Sequence, residues 1–274
     1  MRIRCGYTLT YACERPTAMV LALNIHPSRH ADLLSPQTVT ISPGVPAREF
    51  VDEFGNILTR LVAPVGRTTV STLFDIADSG QPDDVAPWVE QQAIDTLPAD
   101  VLVFLHGSRY CETDVLADFA WSQFGSVPAG WARVQAIVGF VHDHIRFDYQ
   151  QADSRRTAVG AFNDRVGVCR DFAHLSVALC RAMNIPARYC TGYLGDIGIP
   201  PVPDPMDFSA WFQVWLGGQW YTFDARHNTP RIGRVLMATG RDATDVAIST
   251  TFGASRLEVF EVYTDEVPPE AAAA

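Results

Sequence analysis

Two styles of hydrophobic patterning divide the chain. Up to about residue 78, apolar and polar positions alternate and β-branched residues are frequent, which predicts short strands. The predicted strands cover residues 3–13, 18–23, 37–41, 49–52, 57–61 and 66–74, and the pair 49–61 forms a hairpin. Residues 1–78 are therefore predicted to form an all-β, sandwich-like domain.

Residues 79–100 contain three prolines and are predicted to be a linker. Beyond residue 100 the spacing of apolar residues becomes helical, which predicts helices over 114–121, 131–142 and 168–184, the last ending before a proline. Three strands should follow, over 187–194, 208–216 and 219–224. This pattern predicts an α+β domain over residues 101–265, with a disordered tail over 266–274.

The basic residues exclude several kinds of catalytic and binding site. All 21 of them are arginine, since the chain contains no lysine. A Schiff-base lysine, a lysine general base and a lysine-containing phosphate loop are therefore excluded. The chain also cannot crosslink to itself through a lysine side chain.

Charge and cysteine usage restrict partners and location. A net charge of −10 argues against nucleic acid and anionic membrane as partners. The chain has no run of 18 apolar residues, and residues 1–8 lack the apolar core of a signal peptide, so we expect a cytoplasmic protein with six reduced cysteines. Neither a zinc spacing nor a calcium loop is present, so no metal or other cofactor is predicted.

One cysteine begins a predicted helix. Cys169 lies in the first turn of the third helix, where unpaired backbone N–H groups and the helix dipole favour a thiolate. An inert buried thiol is the alternative for this position. Asp171, two residues later, is expected to stabilise the helix N-terminus rather than to act in catalysis.

The segment around Cys169 resembles a known family. Residues 165–175 (RVGVCRDFAHL) and 178–189 resemble the cysteine block of the transglutaminase-like superfamily, which includes bacterial transglutaminase-like cysteine proteases. The resemblance continues through residues 210–212 and 220–224 and so covers about 130–230. The β-rich first domain is similar to the smaller domain that precedes this core in bacterial members. The resemblance implies a papain-like Cys-His-Asp triad that performs acyl transfer on a peptide, protein or small amide or ester.

The triad carries over incompletely. Cys169 matches the nucleophile and Asp224 the acid, but Ser209 occupies the histidine position just before Ala-Trp. If Gly217 and Gly218 form a two-residue turn, positions 209 and 224 are diagonal neighbours about 7–8 Å apart, which an imidazole at 209 would bridge. A serine hydroxyl is no general base near neutral pH, so the usual Cys–base pair is missing.

Another histidine is needed as a base. His227 is the tentative candidate, because a turn after Asp224 would swing it back toward Asp224 and Cys169. His174 faces away from Cys169 on the same helix and is expected to be structural. His142 and His144 project to opposing sides of a helix, which does not suit a shared metal.

An oxyanion must also be stabilised. The backbone N–H of Cys169 is one natural donor, and the side-chain amide of Asn163 is a tentative second. An asparagine before a helix also commonly makes a turn, and this alternative stays open.

Three accounts follow from these residues. The first is a cysteine enzyme that hydrolyses or transfers an acyl group through a thioacyl intermediate. The second is a catalytically impaired scaffold retained for binding, since Ser209 replaces the histidine. In the third, these residues only hold the fold. The substrate, the acceptor and the oligomeric state are not determined by the sequence.

Overall fold

The chain forms an α+β fold in which a β-sandwich and a helix-covered sheet share packed surfaces. The computed structural model describes residues 1–202 and 206–268. The described helices are α1 Thr113–Phe124, α2 Trp131–His144, α3 Ala158–Asp164 and α4 Cys169–Ala182. The described strands are β1 Arg2–Cys13, β2 Thr17–Leu21, β3 Thr40–Ser42, β4 Ala47–Val51, β5 Ile57–Ala63, β6 Gly66–Ala77, β7 Arg146–Phe147, β8 Val166–Gly167, β9 Ala187–Tyr193, β10 Ser209–Leu216, β11 Gln219–Phe223, β12 Val235–Gly240, β13 Thr250–Thr251 and β14 Ser255–Val267.

The sandwich consists of two four-stranded sheets, in the orders β14-β1-β6-β3 and β13-β2-β5-β4. The inward-facing apolar residues of β1 and β6 pack with those of β2 and β5 in one buried cluster. Alternation of apolar and polar residues places one face of each strand in this core, as the pattern predicts. The predicted strand at 37–41 is wrong in extent, because only Thr40–Ser42 pairs with β6.

The third sheet carries the helices. Its order is β11-β10-β9-β12, and the apolar face of α4 packs on β9 and β10. The β10–β11 hairpin turns through Gly217 and Gly218, whose φ angles of 55° and 93° lie in the left-handed region that glycine adopts without strain. Phe212 pairs with Phe223, which is the register that a two-residue turn predicts.

The predicted domain boundaries need correction at the C-terminus. β14 pairs with β1 from Arg2 to Cys13, so residues 255–267 complete the sandwich rather than the α+β domain. Glu266 and Val267, predicted to belong to a disordered tail, lie in this pairing, and residues 269–274 of that tail are outside the described residues. β14 pairs with β1 through backbone hydrogen bonds between strands that are far apart in sequence. The local pattern of apolar residues does not show which strand a given strand pairs with.

The predicted linker is packed against the rest of the chain. Ala86 is buried in the core of the helical part, and the backbone N–H of Trp131 donates to Val89. The Asp83 carboxylate accepts hydrogen bonds from Arg234. The segment 79–100 therefore crosses the surface of the fold in fixed contact with it.

Candidate active site

Cys169 lies at the N-terminus of α4, at the mouth of a cleft. Asp171 fixes this helix start, because its Oδ2 accepts the Val168 N–H at 2.8 Å, which confirms its expected structural role. Cys169 is a partly exposed residue, whereas the other five cysteines are buried. Burial raises the pKa of the Cys169 thiol to about 11, while Arg226 and the backbone N–H of Ala210 lower it.

Asp224 and His227 form a hydrogen-bonded pair at the end of β11. The chain turns at Asp224, whose Oδ1 accepts the backbone N–H groups of Arg226 and His227. This turn brings His227 Nδ1 to 2.8 Å from Asp224 Oδ2. The predicted swing of His227 toward Asp224 is therefore present, and the local cause is the aspartate's own side chain.

A buried arginine supports the acid. The Arg234 guanidinium donates to Asp224 Oδ2 at 2.9 Å and also pairs with Asp83. Burial alone would raise the pKa of Asp224, but Arg234 and His227 outweigh it and hold the pKa well below its usual range. Asp224 is therefore an ionised acceptor that orients the His227 ring with Nε2 available to another group.

Ser209 occupies the family's histidine position at the start of β10. Its side chain is buried, and its Oγ has no hydrogen-bond partner among the described residues. Ser209 also lines two neighbouring hollows. We call them the Cys169 cleft, of about 540 Å³, and the His227 cavity, of about 40 Å³.

The two hollows share one wall. Asp207, Phe208 and Ser209 line both of them. Cys169 lies on the cleft side and His227 on the cavity side, and within the described residues the hydrogen bonds of the His227 ring run to Asp224 and not to the thiol. Catalytic hydrogen bonds are often long before substrate binds. A proton passing from Cys169 to His227 would have to cross this wall.

Two neighbours of the thiol carry no signal in the sequence. Asp207 lines both hollows, and burial raises its pKa to about 6. Arg226 lines the His227 cavity, with its guanidinium carbon 3.8 Å from the centre of the Phe147 ring. Asp207 lies two residues before position 209, and Arg226 lies next to His227. Their closeness in sequence to these two positions is the one feature by which they could have been predicted.

The side-chain amide predicted as a second oxyanion donor does not lie at the site. Asn163 is exposed on α3 and does not line the Cys169 cleft. The segment before Cys169 was expected to be a loop, but a seven-residue helix forms there and turns the amide outward. The backbone N–H of Cys169 remains as the donor at the helix start.

Three further histidines, those at positions 142, 144 and 174, make structural contacts. His174 is fully buried; its Nε2 accepts the Ala243 N–H at 3.1 Å and its ring stacks on Tyr110. His142 and His144 contact the backbone carbonyls of Ala225 and Phe162. Within residues 1–202 and 206–268, no cluster of three His, Cys, Asp or Glu side chains is arranged to hold a metal ion. No helix of the described residues is long and apolar enough to span a membrane.

Comparisons with known proteins place this site in a family. The model of the transglutaminase-like superfamily matches residues 119–225. A crystal structure described as that of a candidate cysteine protease from Cytophaga hutchinsonii has 30% sequence identity and a TM-score of 0.85, covering 99% of this chain and 92% of that one.

Curated relatives are similar over a shorter stretch. An uncharacterized protein of Mycobacterium leprae is 38% identical over 100 residues, which are 34% of this chain and 36% of that protein. An uncharacterized protein of Mycobacterium tuberculosis is 34% identical over 118 residues, which are 39% of this chain and 37% of that protein. The chain thus covers little more than a third of the length of these relatives.

The similarity to the Cytophaga hutchinsonii protein extends over nearly the whole of both chains, and the matched family segment includes both Cys169 and Asp224. This chain belongs to the transglutaminase-like superfamily.

Proposed function

We propose that the protein is a cysteine enzyme that hydrolyses or transfers an acyl group from a peptide or small amide. The observation that carries the proposal is the Asp224–His227 pair, 2.8 Å between Oδ2 and Nδ1, next to the wall that borders Cys169. An imidazole oriented by a buried carboxylate is the base that a thiol nucleophile needs.

The proposed reaction begins when the Cys169 thiol loses its proton to His227 Nε2. The sulfur then forms a bond to the substrate carbonyl carbon, and the Cys169 backbone N–H stabilises the oxyanion. The C–N bond breaks, His227 returns the proton to the leaving amine, and a thioester remains on Cys169. Water or a second amine then attacks the thioester carbonyl carbon and gives a proton to His227. The C–S bond breaks, the carboxylic acid or new amide leaves, and His227 returns the proton to the Cys169 sulfur.

The cleft is suited to an acyl group of modest polarity. Its lining is mostly apolar and hydroxyl-bearing, and segment 243–250 forms one wall. Arg170 and Asp207 are its charged members, and the Arg170 guanidinium is held by the carbonyls of Asp153 and Ser154. A neutral acyl group therefore avoids the cost of stripping water from a charge.

A small activated ester tests the proposal without knowledge of the natural substrate. With p-nitrophenyl acetate, the protein should acquire an acetyl group on Cys169, located by peptide mass spectrometry, and Cys169→Ala should not. His227→Ala should slow acylation by about 100-fold or more. His30→Ala is the matched control, because it removes an exposed imidazole remote from both hollows.

A second candidate function is a binding scaffold without turnover. It is favoured by the serine at position 209 and by burial that raises the pKa of the Cys169 thiol to about 11. If iodoacetamide at pH 6 modifies Cys169 no faster than the other five thiols, the enzyme proposal is abandoned. Gain of acylation in Ser209→His over an unreactive wild type would then support a scaffold that lost its base.

The location and the partners also remain proposals. Six unpaired cysteines support a reducing, cytoplasmic compartment. The acidic composition supports a peptide, protein or small-molecule substrate rather than nucleic acid.

A further inference from the structure

Arg226 is a cation held at the His227 cavity by aromatic rings. Its guanidinium carbon lies 3.8 Å from the centre of the Phe147 ring and 5.7 Å from that of Tyr149. A guanidinium over the face of an aromatic ring is attracted by the ring's electron density, which restrains the side chain. Phe147 in turn packs against Phe172 of α4, the helix that begins at Cys169.

Arg226 lies on the cavity side of the shared wall. It lines the His227 cavity together with Asp207 and Ser209, and these two residues also line the cleft that holds Cys169. A hydroxyl at position 209 carries no charge, whereas an imidazolium there would face a thiolate directly. Arg226, on the other side of the wall, can therefore supply the positive charge that Ser209 lacks.

Two charges act on the thiol in opposite directions. Arg226 is the strongest of the neighbouring charges that favour the thiolate, and Asp207 is the strongest of those that oppose it. Arg226 also lowers the pKa of Asp207, against the larger effect of burial. The other ionisable groups around the two hollows are Tyr110, Tyr149, Arg170, Tyr189, Asp196, Asp224, His227 and Arg231.

We infer that Arg226 supplies the positive charge that stabilises the Cys169 thiolate, the role an imidazolium at position 209 would have, while Asp207 moderates it. The inference rests on the proposed role of Cys169 as nucleophile. In this arrangement His227 accepts and returns the proton and Arg226 supplies the positive charge, whereas a histidine at position 209 would do both. A guanidinium stays protonated throughout the accessible pH range, so its contribution to the thiolate does not titrate away.

The test is the pH profile of alkylation of Cys169 by iodoacetamide, followed by peptide mass spectrometry. Arg226→Gln should move the profile to higher pH and slow alkylation at pH 7 by about tenfold, the change that corresponds to one pKa unit. Arg226→Lys keeps a positive charge and should lie nearer the wild type. Asp207→Asn should shift the profile in the opposite direction and speed alkylation at pH 7, where a carboxyl with a pKa of about 6 is mostly ionised.

Arg155→Gln is the matched control, because it removes one positive charge from a side chain that is 86% exposed and lines neither hollow. Profiles of Arg226→Gln and wild type that coincide, or an equal shift in Arg155→Gln, would overturn the inference. Circular dichroism checks folding. If Arg226→Gln does not fold, Arg226→Met, which also removes the charge but keeps an apolar stem over the Phe147 ring, takes its place. A wild-type thiol of ordinary reactivity would instead count against the enzyme proposal, and the shift between variants stays measurable at higher pH.

Discussion

At the scale of single residues, His174 shows that a histidine near Cys169 in sequence can have a purely structural role when it is buried. It is five residues from Cys169 on the same helix, yet it is fully buried and accepts a hydrogen bond from Ala243. An acceptor nitrogen requires the neutral ring, and burial lowers the pKa of His174 well below its usual value. Its role is therefore to hold the strand-to-loop segment after β12 onto α4.

The neutral state of His174 predicts a loss of stability in mild acid. The unfolded chain binds a proton at this side chain below about pH 6.5 and the folded chain does not, so the free energy of unfolding falls as the pH drops from 7 toward 5. Its slope from this group is at most about 1.4 kcal/mol per pH unit. Urea unfolding at pH 7 and pH 5 should show a smaller difference in His174→Gln than in wild type. Equal differences in the two proteins would contradict this account.

At the scale of elements, the start of α4 positions Cys169, the proposed nucleophile. Asp171 accepts the Val168 N–H and pairs with Arg156, whose side chain is 9% exposed. A Cβ added to Gly167 would come within 2.4 Å of Asp171 Oδ2, so the strand before the helix must carry a glycine there. The cap, the buried pair and the small residue together set the direction in which the Cys169 thiol enters the cleft.

Removal of this cap should destabilise the fold and loosen the site together. Asp171→Ala leaves the Val168 N–H without its acceptor and removes one of the two carboxylates that pair with Arg156, so the free energy of unfolding should fall by about 1 to 3 kcal/mol. Asp171→Asn keeps an acceptor for the Val168 N–H and should lose less. Urea unfolding of the two variants measures this order, and equal losses in the two would show that the carboxylate charge is the whole of the effect.

At the scale of the whole molecule, the C-terminal strand ties the two parts of the fold together. β14 pairs with β1 along its length, and the backbone of Thr264 approaches Gly195 so closely that a Cβ at Gly195 would lie 2.3 Å from its carbonyl oxygen. Tyr193, Val235 and Met237 of the helix-covered sheet also lie in the core of the sandwich. The parts are therefore expected to unfold as one cooperative unit.

Truncation of this strand should disrupt both parts. A chain ending at Ala254 exposes the β1 edge and the residues that Val262 and Thr264 bury, so near-ultraviolet circular dichroism and size-exclusion chromatography should report loss of the native state. A chain ending at Pro268 keeps every β1–β14 pair and is the control. A native, monodisperse protein ending at Ala254 would refute the structural role of β14.

The sequence by itself determined what local rules decide. Helix α4 and its end before Pro186, the β10–β11 register through Gly217 and Gly218, and the position of Cys169 all follow from patterns within a few residues. The family resemblance follows from the same stretch. The spacing of apolar residues along a helix or strand, helix capping and turn formation all depend on residues close in sequence. Neighbouring residues therefore suffice to predict them.

The tertiary structure decided which distant groups meet. It placed Arg234 against Asp224, left Asn163 outside the cleft, and brought Asp207 to the wall beside Cys169 with Arg226 in the cavity behind that wall. It also returned β14 to β1 across more than 240 residues of chain. These contacts depend on how packed elements approach one another, and the free energy of that packing is shared among many residues rather than encoded in any single segment.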